Sequence, residues 1–154
     1  MSDEIETRLA ALGYTLPEAP PPAGNYVPFL ISNGQLFISG QLSRGANGVE
    51  VKGRLGGGLG IDEGKKAAEL CCVNILTQAK AALGSLGRIG QTLRLTGYVN
   101  AVLEFNDHAQ VLNGASDLMV AVLGDRGRHT RVAIGVGSIP LGYAVEIDAI
   151  FAIA

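Results

Sequence analysis

Apolar positions along this chain change their period several times, and each change marks an element. Ile5, Leu9 and Leu12 recur at helical spacing across residues 3–12, with Ser2 or Asp3 as a cap and Gly13 as a stop signal. From Leu16 to Asn25 the pattern breaks on Pro17, Pro20, Pro21 and Pro22, which lack the donors that a helix or central strand needs, so an extended arm is expected. Two β-favouring runs follow, Val27–Ile31 and Gln35–Gln41, joined by Ser32-Asn33-Gly34. Asn-Gly supplies the positive φ angles of a tight hairpin turn. A third short strand is predicted around Val49–Lys52, before the glycine-rich run Gly53–Gly60.

The period then becomes helical again. Ala68, Cys72, Ile75, Ala79 and Leu83 form one apolar stripe of a long helix that starts at Asp62 and closes at Gly84. Leu93–Val102 reads as a strand. Phe105-Asn106 has the form of a staple and cap for a further helix, whose buried face is Leu112, Ala115, Met119 and Val122 and whose stop is Gly124. Two last strands, Val132–Val136 and Ala144–Ile153, flank a turn over Ser138–Gly142.

The order is helix, three strands, helix, strand, helix, two strands. It lacks the alternation of a doubly wound parallel sheet and predicts an α+β sandwich with two main helices on one face of a mixed sheet. The other face, where apolar, must meet water or another subunit. Residues 1–23 are expected to form an amino-terminal helix and proline-rich arm, and 24–154 a single domain.

Composition sharpens this picture. With 47% apolar and 17% charged residues over 154 positions, the chain is less charged than an average soluble domain, which points to apolar surface hidden in a homo-oligomer. The net charge of −2 offers no long-range attraction to polyphosphate or anionic lipid, so nucleic acid is a poor partner. No stretch suits a membrane span or signal peptide. Cys71 and Cys72 are adjacent, excluding a normal disulfide between them, and their place inside the long helix reads as packing; a cytoplasmic location is expected.

The candidate chemistry lies late in the chain. Arg54-Leu55-Gly56-Gly57-Gly58-Leu59-Gly60 fits neither a dinucleotide fingerprint nor a P-loop and reads as a flexible loop. His108 and His129 stand at no ligand spacing, so neither a metal nor a cofactor is called for. Arg131 enters the apolar strand Val132-Ala133-Ile134-Gly135-Val136, where a guanidinium could grip a carboxylate through two parallel hydrogen bonds; a solvated turn is the alternative. Glu146 and Asp148 stand two apart on an otherwise apolar strand, so both face one side of the sheet, and their like charges would raise one carboxyl's pKa toward the range of proton transfer. The alternative is an interface salt bridge to a neighbouring subunit's arginine.

Taken together, Gly24-Asn25-Tyr26-Val27-Pro28, Leu36-Phe37-Ile38-Ser39-Gly40-Gln41, Val99-Asn100 after Leu95-Thr96-Gly97, Asn113, the run from Arg131 to Val136 and the Val-Glu-Ile-Asp-Ala core of Leu141–Ala149 resemble the RidA/YjgF family of enamine/imine deaminases. The likeness spans about residues 24–153 and is strongest to its longer branch, often labelled endoribonuclease L-PSP-like. It implies a chorismate-mutase-like α+β fold, a homotrimer, and ligand clefts between adjacent subunits.

It also implies site residues. An arginine matching Arg131 binds the substrate carboxylate, and a glutamate matching Glu146 positions or activates the attacking water. Tyr26 lines the cleft. Ser39, Asn113 and the backbone amide of Ala133 complete the substrate-binding set. Where the deaminase branch carries Ser-Cys-Val after the arginine, this chain has Val132-Ala133-Ile134, so no cysteine side chain contributes. The amino-terminal arm and the glycine-rich insertion are also additions to the short deaminases.

The expected activity is hydrolysis of small 2-imino or enamine acids to ammonia and a 2-keto acid. The alternative is a non-catalytic trimer that binds a small carboxylate metabolite. Ribonuclease action has neither a basic stripe nor stacking aromatics behind it. Chorismate mutase chemistry would want several converging cations, with only Arg126 and Arg128 available to join Arg131.

Overall fold

The computed structural model describes residues 4–22 and 24–154. The first helix, α1 (Glu4–Ala11), turns Ile5 and Leu9 into the core. The cap expected at Ser2 or Asp3 lies outside the described residues. The hairpin forms as its turn residues require: β1 (Phe29–Ser32) and β2 (Gln35–Leu42) pair antiparallel around Asn33 and Gly34, at φ 49° and 72°. Both centres are left-handed, the conformation that matches the twist of two-residue hairpins.

The strand expected at Val49–Lys52 does not form. Glu50 and Lys52 make only isolated bridges, to Arg44 and Tyr143. Val51 donates to the Ser43 carbonyl and accepts from the Ala144 N–H, so its backbone is satisfied without a ladder. The glycine-rich run is not a free loop either. It folds into two dipeptide strands, β3 (Arg54–Leu55) and β4 (Gly58–Leu59), with Leu55 fully buried.

The long helix, α2 (Ile61–Leu83), begins one residue before the expected Asp62 and ends at Gly84, whose φ of 78° suits glycine. Every residue of its predicted stripe is buried, Cys72 included. Burial pushes both adjacent thiols well above their ordinary pKa, so neither is a thiolate nucleophile at neutral pH. β5 (Ile89–Asn100) starts four residues earlier than predicted. α3 (His108–Leu123) starts later than the expected cap at Asn106. Asp107 takes the N-cap position, yet its carboxylate accepts from Gln110 Nε2 at 3.2 Å rather than from the helix backbone. β6 (Thr130–Val136) and β7 (Val145–Ile153) complete the chain.

The sheet order is β1-β2-β7-β5-β6, with β5 and β6 parallel and the other neighbours antiparallel, a mixed sheet in an α+β fold. Alternation divides its residues. Leu95 and Val99 of β5, with Val145, Ile147, Ala149 and Phe151 of β7, are buried on the helix side. The opposite face carries Leu30, Phe37 and Ile134, which are 58%, 37% and 45% exposed, together with half-buried Glu146 and Asp148. No helix among the described residues is long and apolar enough to cross a membrane.

α2 and α3 touch through glycine. A Cβ on Gly114 would fall on the Lys65 carbonyl oxygen, a backbone atom that cannot rotate away. Gly114→Ala is therefore expected to destabilise the protein by about 1–3 kcal/mol. Gly137→Ala, at a site with no heavy atom within 4 Å, should change stability by no more than about 0.5 kcal/mol. Urea midpoints compare the two, and equal shifts would contradict the close helix contact.

Candidate active site

Arg131 sits near the start of β6, an edge strand, and pairs in register with Leu95 of β5, whose side chain is buried under the helices. Its guanidinium accordingly lies against α3. Nη1 donates to Asn113 Oδ1 at 2.9 Å and to Ser116 Oγ at 3.1 Å, and Nη2 donates to the Ala109 carbonyl at 3.4 Å. All three acceptors are neutral. Among the described residues no carboxylate pairs with this cation, and the side chain is half-buried. A partly desolvated guanidinium without a counter-charge is an anion receptor in waiting.

Its neighbours in the basic cluster are committed elsewhere. Arg126 donates to the Ile89 carbonyl at 2.8 Å and Arg128 pairs with Asp125 at 3.3 Å, so neither converges with Arg131.

Two further residues join Arg131 that sequence reasoning did not assign to it. His129 Nδ1 is 2.6 Å from the Gly127 carbonyl, and its Nε2 is 2.8 Å from Ser116 Oγ. A carbonyl only accepts, so Nδ1 carries a proton, and in the neutral ring Nε2 accepts from the serine hydroxyl. That turns the Ser116 oxygen toward Arg131 as an acceptor. The available signal was periodicity: Asn113 and Ser116 are three apart on one helix face, and His129 and Arg131 are two apart on extended chain.

Glu146 occupies the opposite face of the sheet. It pairs in register with Leu42 of β2 and Tyr98 of β5. β2 is irregular between Ile38 and Gln41, and there Gly40 yields its Cβ position to the Glu146 carboxylate. Burial, and then the charge of Asp148, raise the Glu146 pKa above the usual carboxylate range. Asp148 is raised by burial as well, although a hydrogen bond from Thr96 and the charge of Arg94 act against that. The like-charge effect expected from the sequence is present but second to desolvation. Both carboxylates border an open cavity of about 270 Å³ that Gly40, Tyr98, Ser138 and Ile139 also line.

Tyr26 and Ser39 line an adjoining cavity of about 160 Å³, roofed by Pro20, Pro21 and Pro22 of the amino-terminal arm. Gly40 is common to the two cavities. The Ser39 hydroxyl is engaged, donating to the Val27 carbonyl at 2.7 Å, and its N–H donates to the Pro28 carbonyl at 2.9 Å. Ser39 thus holds the loop that presents the 55%-exposed Tyr26. Ala133 stands two residues along β6 from Arg131, on the same face.

Within one chain, then, the expected residues fall into two groups. Arg131, Asn113 and Ala133 lie on the helix side at the β6 edge, whereas Glu146, Tyr26 and Ser39 cluster about Gly40 at the β2–β7 pair. The sheet separates Arg131 from Glu146, while the cavity at Tyr26 and Ser39 is lined also by Asn74 and Gln78 of α2.

A family model described as "YjgF/chorismate mutase-like, putative endoribonuclease" matches residues 6–152. Protein TCP17 of Trypanosoma cruzi is 42% identical over 150 residues, covering 97% of this chain and 94% of that protein. A crystal structure of an Agrobacterium tumefaciens protein superposes with a TM-score of 0.93 at 47% identity, covering 99% of this chain and 96% of the other. The crystal structure of RidA from an Antarctic Psychrobacter superposes with a TM-score of 0.61 at 26% identity, covering 88% of this chain and 94% of the other.

Proposed function

Because this chain belongs to the YjgF/chorismate mutase-like family, we propose that it is a hydrolytic deaminase of small 2-imino and enamine acids, working in clefts between the subunits of a homotrimer. The observation that carries this reading is the pair of complementary half-sites: an uncompensated guanidinium at the edge of β6, and a carboxylate of raised pKa on the open face. Neither completes a site alone. Association through the apolar open face would bring the edge of one protomer to the Glu146 cavity of the next and remove Leu30, Phe37 and Ile134 from water.

In such a cleft Arg131 takes the substrate carboxylate through its fork, with Asn113 and Ser116 holding the guanidinium in place. Glu146 accepts a proton from water as the oxygen attacks the imine carbon. Attack on the protonated imine gives a neutral carbinolamine, and Glu146 passes the proton it took to the amine nitrogen. The C–N bond breaks as the hydroxyl proton goes to Glu146 and the O–H electron pair closes the C=O bond, so that ammonia and the 2-keto acid leave and Glu146 returns its proton to water. Imines are electrophilic enough that orienting substrate and water supplies much of the acceleration. Tyr26 and the backbone at Ser39 and Ala133 shape the walls.

A ribonuclease reading, carried by the family description, has no matching surface. The net charge is −2, and Arg54 and Arg131 lie in a groove rather than along a stripe.

The test is ammonia release from freshly generated 2-iminobutyrate, with calorimetric binding of 2-oxobutyrate and the mass in solution by light scattering. Accelerated release by a trimer is the expected result. Binding without turnover would make the protein a carboxylate receptor instead, and a monomer with neither property would end both readings.

A further inference from the structure

The glycine-rich insertion and His108 play no part in the reaction described above, yet they meet in one place. β6 and α3 run in opposite directions along the edge groove. Arg131 is bonded to Asn113 and Ser116 at one end, and Gly135 faces His108 at the other, giving up its Cβ position to the imidazole. Four strand residues and eight helical residues separate the two ends, each about 12–13 Å of backbone. The guanidinium spans the groove from Asn113 and Ser116 to the Ala109 carbonyl, next to His108 in the helix, so the site and the far end are continuous.

That far end opens into a cavity of about 280 Å³ lined by Arg54, Phe105, Asn106, His108 and the backbone of Gly135–Gly137. The insertion builds its wall. Leu55 bridges to Ala101 and accepts from the Val102 N–H at 3.0 Å, while Gly56 and Gly57 pack so closely on Val102 that a Cβ on either would come within 3.0 Å of it. Arg54 Nη2 donates to the Ala101 carbonyl at 2.9 Å, which fixes the guanidinium at the cavity. His108 is set edge-on to Phe105, with ring centroids 5.3 Å apart. Among the described residues Arg54 pairs with no carboxylate, and none lines the cavity; Asp107 is bonded to Gln110 and Glu104 stays outside.

We infer that this cavity is the side-chain pocket of the Arg131 site, and that it selects 2-imino dicarboxylic acids, the second carboxylate being held by Arg54 and His108. This rests on Arg131 being the carboxylate anchor. Two cationic ends in one groove, neither paired with a carboxylate, suit a dicarboxylate, whose two charges stand a few carbon atoms apart. A short monocarboxylate would leave Arg54 unanswered.

The experiment compares 2-iminobutyrate with 2-iminoglutarate and 2-iminoadipate, each generated in situ, and the matching keto acids by calorimetry. The wild-type protein should favour the dicarboxylates by at least about tenfold in kcat/KM and in Kd. In Arg54→Gln, which keeps an N–H for the Ala101 carbonyl, and in His108→Asn, that ratio should fall toward one. Equal handling of the mono- and dicarboxylates, or a ratio that survives Arg54→Gln, overturns the pocket while leaving the deaminase reading intact. Failure of every imine and every keto acid removes the anchor itself. Preferential binding of 2-oxoadipate without turnover supports the pocket and overturns only the hydrolysis.

Discussion

Arg131→Ala should lose roughly a hundredfold to a thousandfold in kcat/KM for imine hydrolysis, about 3–4 kcal/mol, because it removes a charge-assisted fork that nothing else in the groove can replace. The neighbouring cations do not compensate: Arg126 and Arg128 are tied to the turn, and Arg54 lies beyond the far end of the groove. The fold should survive. Asn113 and Ser116 are half-buried, so water can reach the groups the guanidinium leaves behind, and the thermal midpoint reports whether it does. Arg131→Lys keeps the charge but loses the planar fork and cannot hold Asn113, Ser116 and substrate together, so an intermediate loss of about tenfold is expected. Steady-state rates beside 2-oxobutyrate affinity separate the possibilities. An alanine variant as fast as the wild type would remove Arg131 from the reaction.

The second large effect belongs to Glu146. Glu146→Gln retains size and hydrogen bonding but cannot take a proton, so kcat should drop by roughly two to four orders of magnitude while keto-acid binding changes little. A parallel loss of affinity would instead mark a structural role beside Gly40. The pH profile is a separate check with a definite sign. The carboxylate is the active form, and desolvation together with Asp148 raises its pKa. As pH falls, activity should therefore be lost earlier than an ordinary glutamate would lose it. Asp148→Asn removes the like charge, lowers the Glu146 pKa, and should move the acid limb to lower pH. An unmoved limb would mean that a different group titrates.

The fold was largely legible because its signals are local. Asn33-Gly34 can hardly form anything but a tight turn between apolar runs, and Gly84 and Gly124 stop two helices whose apolar stripes specify which side is buried. Where local signals misled, a nonlocal partner was responsible. Val51 meets Ser43 and Ala144 rather than a strand, and Leu55 draws the glycine-rich run onto Ala101 and Val102. At α3 the expected cap residue Asn106 was passed over for Asp107, whose side chain accepts from Gln110.

For the site, strand alternation was enough to set Glu146 beside Asp148 on one face, whereas Arg131 stood out only as a cation at the entrance of an apolar strand, with a solvated turn as the alternative, until the family resemblance gave it a role. Spacing puts Ser116 beside Asn113 and His129 beside Arg131, but no spacing within one element reveals that these two elements meet, that Gly40 makes room for Glu146, or that Arg54 and His108 share a cavity across more than fifty residues of sequence. Those relations depend on which helix face meets which strand edge, a matter of packing between distant segments. Only the folded chain decides it, since side chains far apart in sequence acquire a common environment when the sheet and its helices close on one another.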